Sequence, residues 1–182
     1  FLTDWIRDPQ NFRPSTYMPR FFGHWDHLKG AGLKTAEEFE PLEILGMATW
    51  LEKNSQPFEP EVPPTGMKES SQAEKVARGK ATFETRGCIA CHNHGDFPAV
   101  AAARGKDIPQ GPDLTGLGTK FDRTRNPKGP EWLYSWIKNP TKYHPRTRMP
   151  NLFIDPITQP DGSKVDPVDD IREYLLSSVI PW

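Results

Sequence analysis

Residues 88–92 read Cys88-Ile89-Ala90-Cys91-His92, and this stretch decides more about the chain than any other. Two thiols separated by two residues and followed at once by histidine form the pattern for covalent haem attachment. Each thiol adds across one vinyl group, and the histidine becomes the first axial ligand of the iron. Two other chemistries use the same residue types. A redox Cys-x-x-Cys sits at a strand-to-helix turn of a βαβ unit, and no such strand is legible here. A structural zinc site needs four ligands, and there is no second cysteine pair, although His92 and His94 are available. Neither alternative accounts for a histidine directly after Cys91. Both cysteines of the chain belong to this motif, so no disulfide is expected.

Composition fits a small helical protein organised around such a group. The 182 residues suffice for one or two small domains. Hydrophobic residues make up only 35%, and the mean hydropathy is −0.70. A bound macrocycle would supply apolar core that the side chains do not. Twenty prolines predict long irregular connections between helices rather than a sheet. The net charge of −1 argues against a nucleic-acid partner, and no apolar run approaches a membrane span. The chain opens at Phe1 without a signal-peptide pattern, which is expected if a targeting segment has been removed or if these residues follow others in a longer protein. Haem is joined to this motif outside the bacterial cytoplasm, so a periplasmic or otherwise extracytoplasmic location is expected.

An internal repeat is the second informative feature. Leu2-Thr3-Asp4-Trp5-Ile6-Arg7-Asp8-Pro9 aligns with Leu133-Tyr134-Ser135-Trp136-Ile137-Lys138-Asn139-Pro140. Without a gap the match continues through Pro14/Pro145, Thr16/Thr147, Met18/Met149, Pro19/Pro150 and Phe22/Phe153. Repeated segments imply repeated structural units. Beyond each Met-Pro a helix is expected, Pro41–Leu51 in the first copy and Pro167–Leu175 in the second, each opened by proline and aligned at Trp50-Leu51 with Tyr174-Leu175.

Between the copies, Pro57–Lys68 carries Pro60, Pro63, Pro64 and Gly66 and reads as an extended tether. Ser71 and Glu74 predict a capping box for a helix running to about Thr85, with Val76, Ala77 and Phe83 on its apolar face. Gly79 costs this helix stability, which points to another element packed closely against it. Residues 93–130 read as irregular loop. Pro130 is expected to open a helix with Trp132, Leu133, Trp136 and Ile137 on its apolar face, stopped by Asn139-Pro140.

From about Ala73 onward these landmarks resemble a class I (mitochondrial-type) cytochrome c domain. The matching residues are Gly79-Lys80 and Phe83, the 88–92 motif, Gly111-Pro112-Asp113-Leu114, Trp136-Ile137-Lys138-Asn139-Pro140, Thr147-Arg148-Met149-Pro150, and a last helix through Tyr174-Leu175. The resemblance implies an all-α fold around covalent haem c, occupying residues 73–182. It implies Met149 as sixth iron ligand opposite His92, the Pro112 carbonyl as acceptor for the other imidazole N–H, and a crossing of the first and last helices at Gly79 and Tyr174. Independently, Met149 is the only methionine after Ala73, and thioether ligation raises the potential relative to two histidines. Trp136 and Arg148 are expected among the haem contacts, with Arg146 and Arg148 suited either to propionates or to open solvent. His94 and His144 are the rival ligands. His94 lies too close to the motif to cross the haem plane, and His144 suits a turn cap.

Residues 1–55 are similar to the distal, methionine-bearing half of another such domain, with 56–72 as linker. Met18 stands where Met149 stands, yet no attachment motif precedes it among these residues. The missing half is expected upstream in a longer chain, with a separate polypeptide or a decayed, haem-free module as the alternatives; retention of Met-Pro with the Trp-Ile-x-x-Pro helix argues against decay. A second haem contacted through Met18 is therefore expected. From Lys120 to Arg148 the basic residues Lys120, Arg123, Arg125, Lys128, Lys138, Lys142, Arg146 and Arg148 face only Asp122 and Glu131, whereas Glu37–Glu74 is acidic. A basic rim would steer an acidic redox partner, although most charge runs are simply solvated. The functional expectation is an electron-transfer cytochrome, not itself an enzyme, in a multihaem or respiratory chain with redox partner proteins or membrane-complex subunits. The alternative is a haem enzyme such as a dihaem peroxidase or thiosulfate-oxidising cytochrome.

Overall fold

A computed structural model describes residues 2–11, 16–57, 59–105, 110–124 and 126–180. Pro14 of the repeat and Arg125 of the basic run lie outside the described residues. The chain divides into two compact units, Phe1–Phe58 and Glu59–Trp182. The described residues are mostly helical, and no helix among them is long and apolar enough to cross a membrane.

In the first unit, α1 (Leu2–Arg7) leads through a 3-10 turn (Pro9–Asn11) to the 24-residue α2 (Gly30–Lys53). Ile6, Ile44 and Ala48 form a small core, with Leu2 and Phe22 packed against it. The helix expected to open at Pro41 begins eleven residues earlier by number, at Gly30, and Pro41 lies inside it. The stretch ahead of Pro41 is rich in helix formers, among them Ala31, Leu33, Lys34, Ala36 and Glu38. Pro41 is exposed, so the Glu37 carbonyl left without an N–H partner can turn to water. Glu40 ties the preceding loop to α2: its carboxylate accepts from the Gly23 backbone N–H at 2.9 Å and from the Trp25 indole.

The second unit is built on the crossing of α3 (Gln72–Thr85) with the last helix, α9 (Pro167–Ser177). The capping box forms as expected. Ser71 Oγ accepts from the Glu74 N–H, and the Glu74 carboxylate accepts from the Ser71 N–H at 2.8 Å. Gly79 is buried at the crossing, where a Cβ would lie 2.0 Å from the Asp170 carbonyl oxygen and 2.8 Å from Tyr174 Cβ. The close approach inferred from Gly79 is thus present, against the tyrosine expected. Charged pairs flank it: Arg78 binds Asp170 through two 2.8 Å bonds, and Lys75 meets Asp169 at 2.6 Å. Phe83 is buried on the expected face, whereas Ala77 is exposed.

Between α3 and α9 run α4 (Cys88–Cys91), α5 (Pro98–Arg104), α6 (Leu117–Lys120), α7 (Gly129–Lys138), α8 (Pro140–Tyr143) and an antiparallel pair, β1 (Ile157–Thr158) with β2 (Lys164–Val165). The stretch expected to be irregular therefore holds α5 and α6. Helices of seven and four residues span too few turns to leave a periodic signal. Proline at the first position and four alanines account for α5 locally. At Gly118 of α6 a Cβ would lie 2.1 Å from the Leu176 carbonyl, and the Gly118 N–H donates to the Ser178 carbonyl, so α6 is seated on the end of α9. The core joins Phe83, Phe121, Leu133, Tyr134, Ile154, Val168, Ile171, Tyr174 and Leu175. α7 ends where Asn139-Pro140 was expected to stop it, and Leu133 of the expected face is buried; Tyr134 and Ser135 are buried beside it, while Trp132, Trp136 and Ile137 are half-buried.

Residues 59–68, read from sequence as a tether, belong to the second unit. The Glu61 N–H donates to Ser135 Oγ at 2.7 Å, Tyr143 Oη donates to the Glu59 carbonyl, and Lys142 pairs with Glu61. Further along, the Lys68 N–H bonds the Lys164 carbonyl at 2.7 Å and its ammonium meets Asp161 at 3.0 Å. The run is thus anchored by backbone and side-chain bonds to α7, α8 and β2.

The repeat seen in the sequence is reproduced in the backbone. α1 and α7 end at the equivalent Arg7 and Lys138, and each is followed by a buried proline, Pro9 or Pro140, opening a short turn of helix. The Asp8 N–H bonds the Asp4 carbonyl as the Asn139 N–H bonds the Ser135 carbonyl, both at 2.9 Å. Met18 N–H donates to Thr16 Oγ1 and Met149 N–H to Thr147 Oγ1, both at 3.2 Å.

Candidate functional site

The 88–92 motif forms a single helical turn. Gly87, at φ 77°, supplies the left-handed residue that turns the chain from α3 into α4. Cys88 and Cys91 are half-buried free thiols at the two ends of α4, and His92 follows as its C-terminal cap. Burial pushes the Cys88 thiol up to about 11, the reverse of the depressed value that a redox-active cysteine needs. Among the described residues no group of three or more His, Cys, Asp and Glu side chains is arranged to hold a metal ion, so the zinc alternative lacks a donor set.

His92 is held from one side. Its Nδ1 lies 2.8 Å from the Pro112 carbonyl oxygen, which can only accept, so the neutral ring carries its proton on Nδ1 and presents Nε2 as the basic nitrogen. Gly111 completes the cradle, because a Cβ there would fall 2.3 Å from His92 Cε1. The Gly111 N–H bonds the Cys91 carbonyl at 2.8 Å and the Leu114 N–H bonds the Asn93 carbonyl at 2.9 Å, docking 111–114 onto the motif.

Arg104 is a contributor that sequence reading missed. Its guanidinium bonds the Ile89 and Ala90 carbonyls at 2.9 and 3.0 Å and also the Asn93 side chain. It therefore satisfies open carbonyls of the Cys88–Cys91 turn. A lone arginine closing the Ala-rich 98–104 run was the available signal.

His94 is 4% exposed and sits among Phe83, Phe97 and Tyr174, with ring centroids 4.9–6.3 Å away. Its Nδ1 lies 2.9 Å from Tyr174 Oη and accepts from the Asp96 N–H, while burial lowers its basicity. Tyr174 Oη also reaches Asp96, which pairs with Lys80 at 2.8 Å. His94 is thus a core residue behind the motif. His144 accepts from the Arg146 N–H and fixes a turn, as expected.

Trp136 and Met149 are brought together. The Trp136 indole N–H donates to Met149 Sδ at 3.0 Å, and both residues are half-buried. Trp132 stacks on Trp136 with centroids 5.3 Å apart. Arg146 and Arg148 are exposed. Met18 is half-buried within the first unit. Much of the basic run is neutralised within the second unit: Arg123 pairs with Glu173, Lys138 with Asp155 and Lys142 with Glu61.

The donor set suits haem. Two unoxidised thiols one helical turn apart precede an imidazole whose Nδ1 is already bonded, and a thioether is held on a separate segment. Comparison with protein families, curated proteins and solved structures finds no match, so the functional reading rests on the chain's own residues.

Proposed function

We propose that the second unit is a class I cytochrome c domain that carries electrons outside the cytoplasm. The observation that carries the reading is the Cys88-Ile89-Ala90-Cys91-His92 turn with the His92 Nδ1 seated on the Pro112 carbonyl. Cys88 and Cys91 would hold haem c by thioether bonds, and His92 Nε2 and Met149 Sδ would be its axial donors. Bound there, haem supplies a one-electron ferrous–ferric couple.

The protein's part is to hold that couple at a suitable potential and to keep its iron closed. Pro112 fixes the imidazole tautomer and raises its basicity. Trp136 positions the Met149 sulfur through the indole N–H. The thioether favours the reduced iron. His92 and Met149 would hold the iron from two separate segments and leave no open position for substrate, which supports a carrier over the peroxidase or thiosulfate-oxidising alternative. The exposed Arg146, Arg148 and Lys128 leave basic charge for an acidic redox partner.

Met149→Ala in the haem-loaded protein tests this reading. The wild type should refuse carbon monoxide and display the weak red-end band of methionine-to-ferric charge transfer. The variant should bind carbon monoxide and lose that band. A variant that keeps the wild-type spectrum and refuses carbon monoxide would remove Met149 from the ligand set.

A further inference from the structure

The strap at residues 59–61 reaches the segment of the proposed sixth ligand through a directed series of hydrogen bonds. A backbone N–H can only donate and a carbonyl can only accept, so the sense of each bond is fixed. The Glu61 N–H donates to Ser135 Oγ at 2.7 Å, the Ser135 hydroxyl donates to Tyr143 Oη, and the Tyr143 hydroxyl donates to the Glu59 carbonyl at 3.1 Å. The series leaves the strap at residue 61 and returns to it at residue 59, and each hydroxyl donates once. Lys142 adds an ion pair with Glu61 at 3.0 Å. Ser135 is fully buried and immediately precedes Trp136, whose indole N–H holds the Met149 sulfur. Tyr143 closes α8, at the start of the run that leads to Met149.

Along that run the backbone N–H groups are satisfied locally: His144 donates to Pro140, Thr147 and Arg146 donate to His144, and Met149 donates to Thr147. Bonds of this kind shape a turn without fixing where the turn sits. The bonds of Lys142 and Tyr143 to the strap, and of Tyr143 to α7, supply that fixing. The first copy of the repeat separates the two roles. Thr16 and Met18 make the same 3.2 Å bond as Thr147 and Met149, yet Asp4 stands in place of Ser135 and Phe12 in place of Tyr143. Neither hydroxyl exists there, so the clasp is an addition of the second unit and not a part of the Met-Pro turn. Resting on the cytochrome reading, we infer that Glu59 and Glu61, acting through Ser135 and Tyr143, are positioning residues for Met149, and that this clasp sets how firmly the thioether holds the sixth position. Displacing the sulfur moves the segment that bears it, and the clasp opposes that movement. A small ligand added from solution binds only the fraction of molecules whose sulfur is off the iron, so its apparent affinity reports the strength of the clasp. Residues 59–61 open the second unit along the chain, so control of the ligand falls to the segment through which the first unit is joined to it.

The test titrates imidazole into the ferric, haem-loaded protein and four variants, and follows hydrogen exchange at the His144 and Thr147 amides in the same samples. Tyr143→Phe removes the central hydroxyl. Glu61→Pro removes the strap N–H and leaves every side chain of α7 and α8 in place. Both should raise the apparent affinity for imidazole about tenfold, the worth of the hydrogen bonds lost, and speed exchange at the two amides by a similar factor. Glu61→Gln keeps the N–H and loses only a partly exposed ion pair, so it should match the wild type. Gly79→Ala loosens the α3–α9 crossing without touching the clasp and should leave imidazole affinity unchanged. Wild-type affinity in both Tyr143→Phe and Glu61→Pro overturns the inference. So does an equal rise in Gly79→Ala, or faster exchange with no gain in affinity, since either would reduce the clasp to a general source of stability. A wild type that lacks haem mass or the methionine-to-ferric band fails the cytochrome reading, and the inference with it, before any imidazole is added, so the two failures are recorded separately.

Discussion

Alanine at Gly79 probes the packing on which the second unit depends. The new Cβ would stand 2.0 Å from the Asp170 carbonyl oxygen, 2.5 Å from its carbon and 2.8 Å from Tyr174 Cβ. Two of these atoms are α9 backbone, so no side-chain rotation relieves the contact and the helices must move apart. Overpacking costs about 1–3 kcal/mol, and a backbone obstacle places this case near ~3 kcal/mol. Alanine in a helix interior returns about 1 kcal/mol over glycine. The net loss is therefore about 2 kcal/mol, or roughly 8 °C in Tm at ~4 °C per kcal/mol. Separation of α3 from α9 would also stretch the paired Arg78–Asp170 bonds. Thermal unfolding of the haem-loaded protein, followed by far-UV circular dichroism, measures this. Gly46→Ala is the control: with open space around it, the same change in mid-α2 should stabilise the first unit by up to about 1 kcal/mol. A Gly79→Ala protein that melts at or above the wild type would refute the packing argument.

Three further outcomes follow from particular contacts. Arg78→Ala leaves the buried Asp170 carboxyl without its bidentate partner, so urea unfolding should reveal a loss of roughly 3 kcal/mol. Burial pushes the Asp166 carboxyl above the ordinary carboxylate range despite hydrogen bonds from Tyr134 Oη and the Val168 N–H. The folded protein thus holds that proton more tightly than the unfolded chain. Its contribution favours the fold below about pH 4 and is lost as pH rises through the folded value. Asp166→Asn keeps one acceptor oxygen for the Val168 N–H, while its amide N–H would donate to Tyr134 Oη with the hydroxyl turned away. The charge is gone, so its stability relative to wild type should rise from pH 4 to pH 7, and a flat or falling difference in urea midpoints would contradict this. Gly111→Ala drives a methyl into the His92 ring, 2.3 Å from Cε1 by the present geometry, and should shift the haem midpoint potential and the low-spin spectrum. An unchanged potential would mean that the ring does not need its cradle.

Local chemistry was legible in the sequence wherever one residue has one strong use. Ser71 with Glu74 marked the start of α3, Asn139-Pro140 the end of α7, and Gly79 the crossing with α9. The pairing of His92 with Pro112 was reached through resemblance, since nothing in the spacing of 92 and 112 dictates it. Other features were hidden because they depend on distant partners or on too few residues. Pro41 by itself predicts a helix start, but the flanking helix formers carry α2 through it. Residues 59–68 looked unattached because their anchors, Ser135, Tyr143 and Lys164, lie far along the chain. Arg104 was passed over since the carbonyls it bonds become acceptors only once α4 has formed. The amphipathic α7 was recognised, yet Tyr134 was missed as its buried anchor because the hydroxyl needs Asp166, thirty-two residues away, to be satisfied.

The central claim, that this chain carries haem covalently at Cys88 and Cys91, is tested most directly by intact mass with a thiol count on protein matured outside the cytoplasm. The expected result is a mass raised by one haem per 182-residue chain, no thiol open to alkylation, and loss of the added mass in the Cys88→Ala, Cys91→Ala double variant. An unmodified mass with two alkylatable thiols would contradict it.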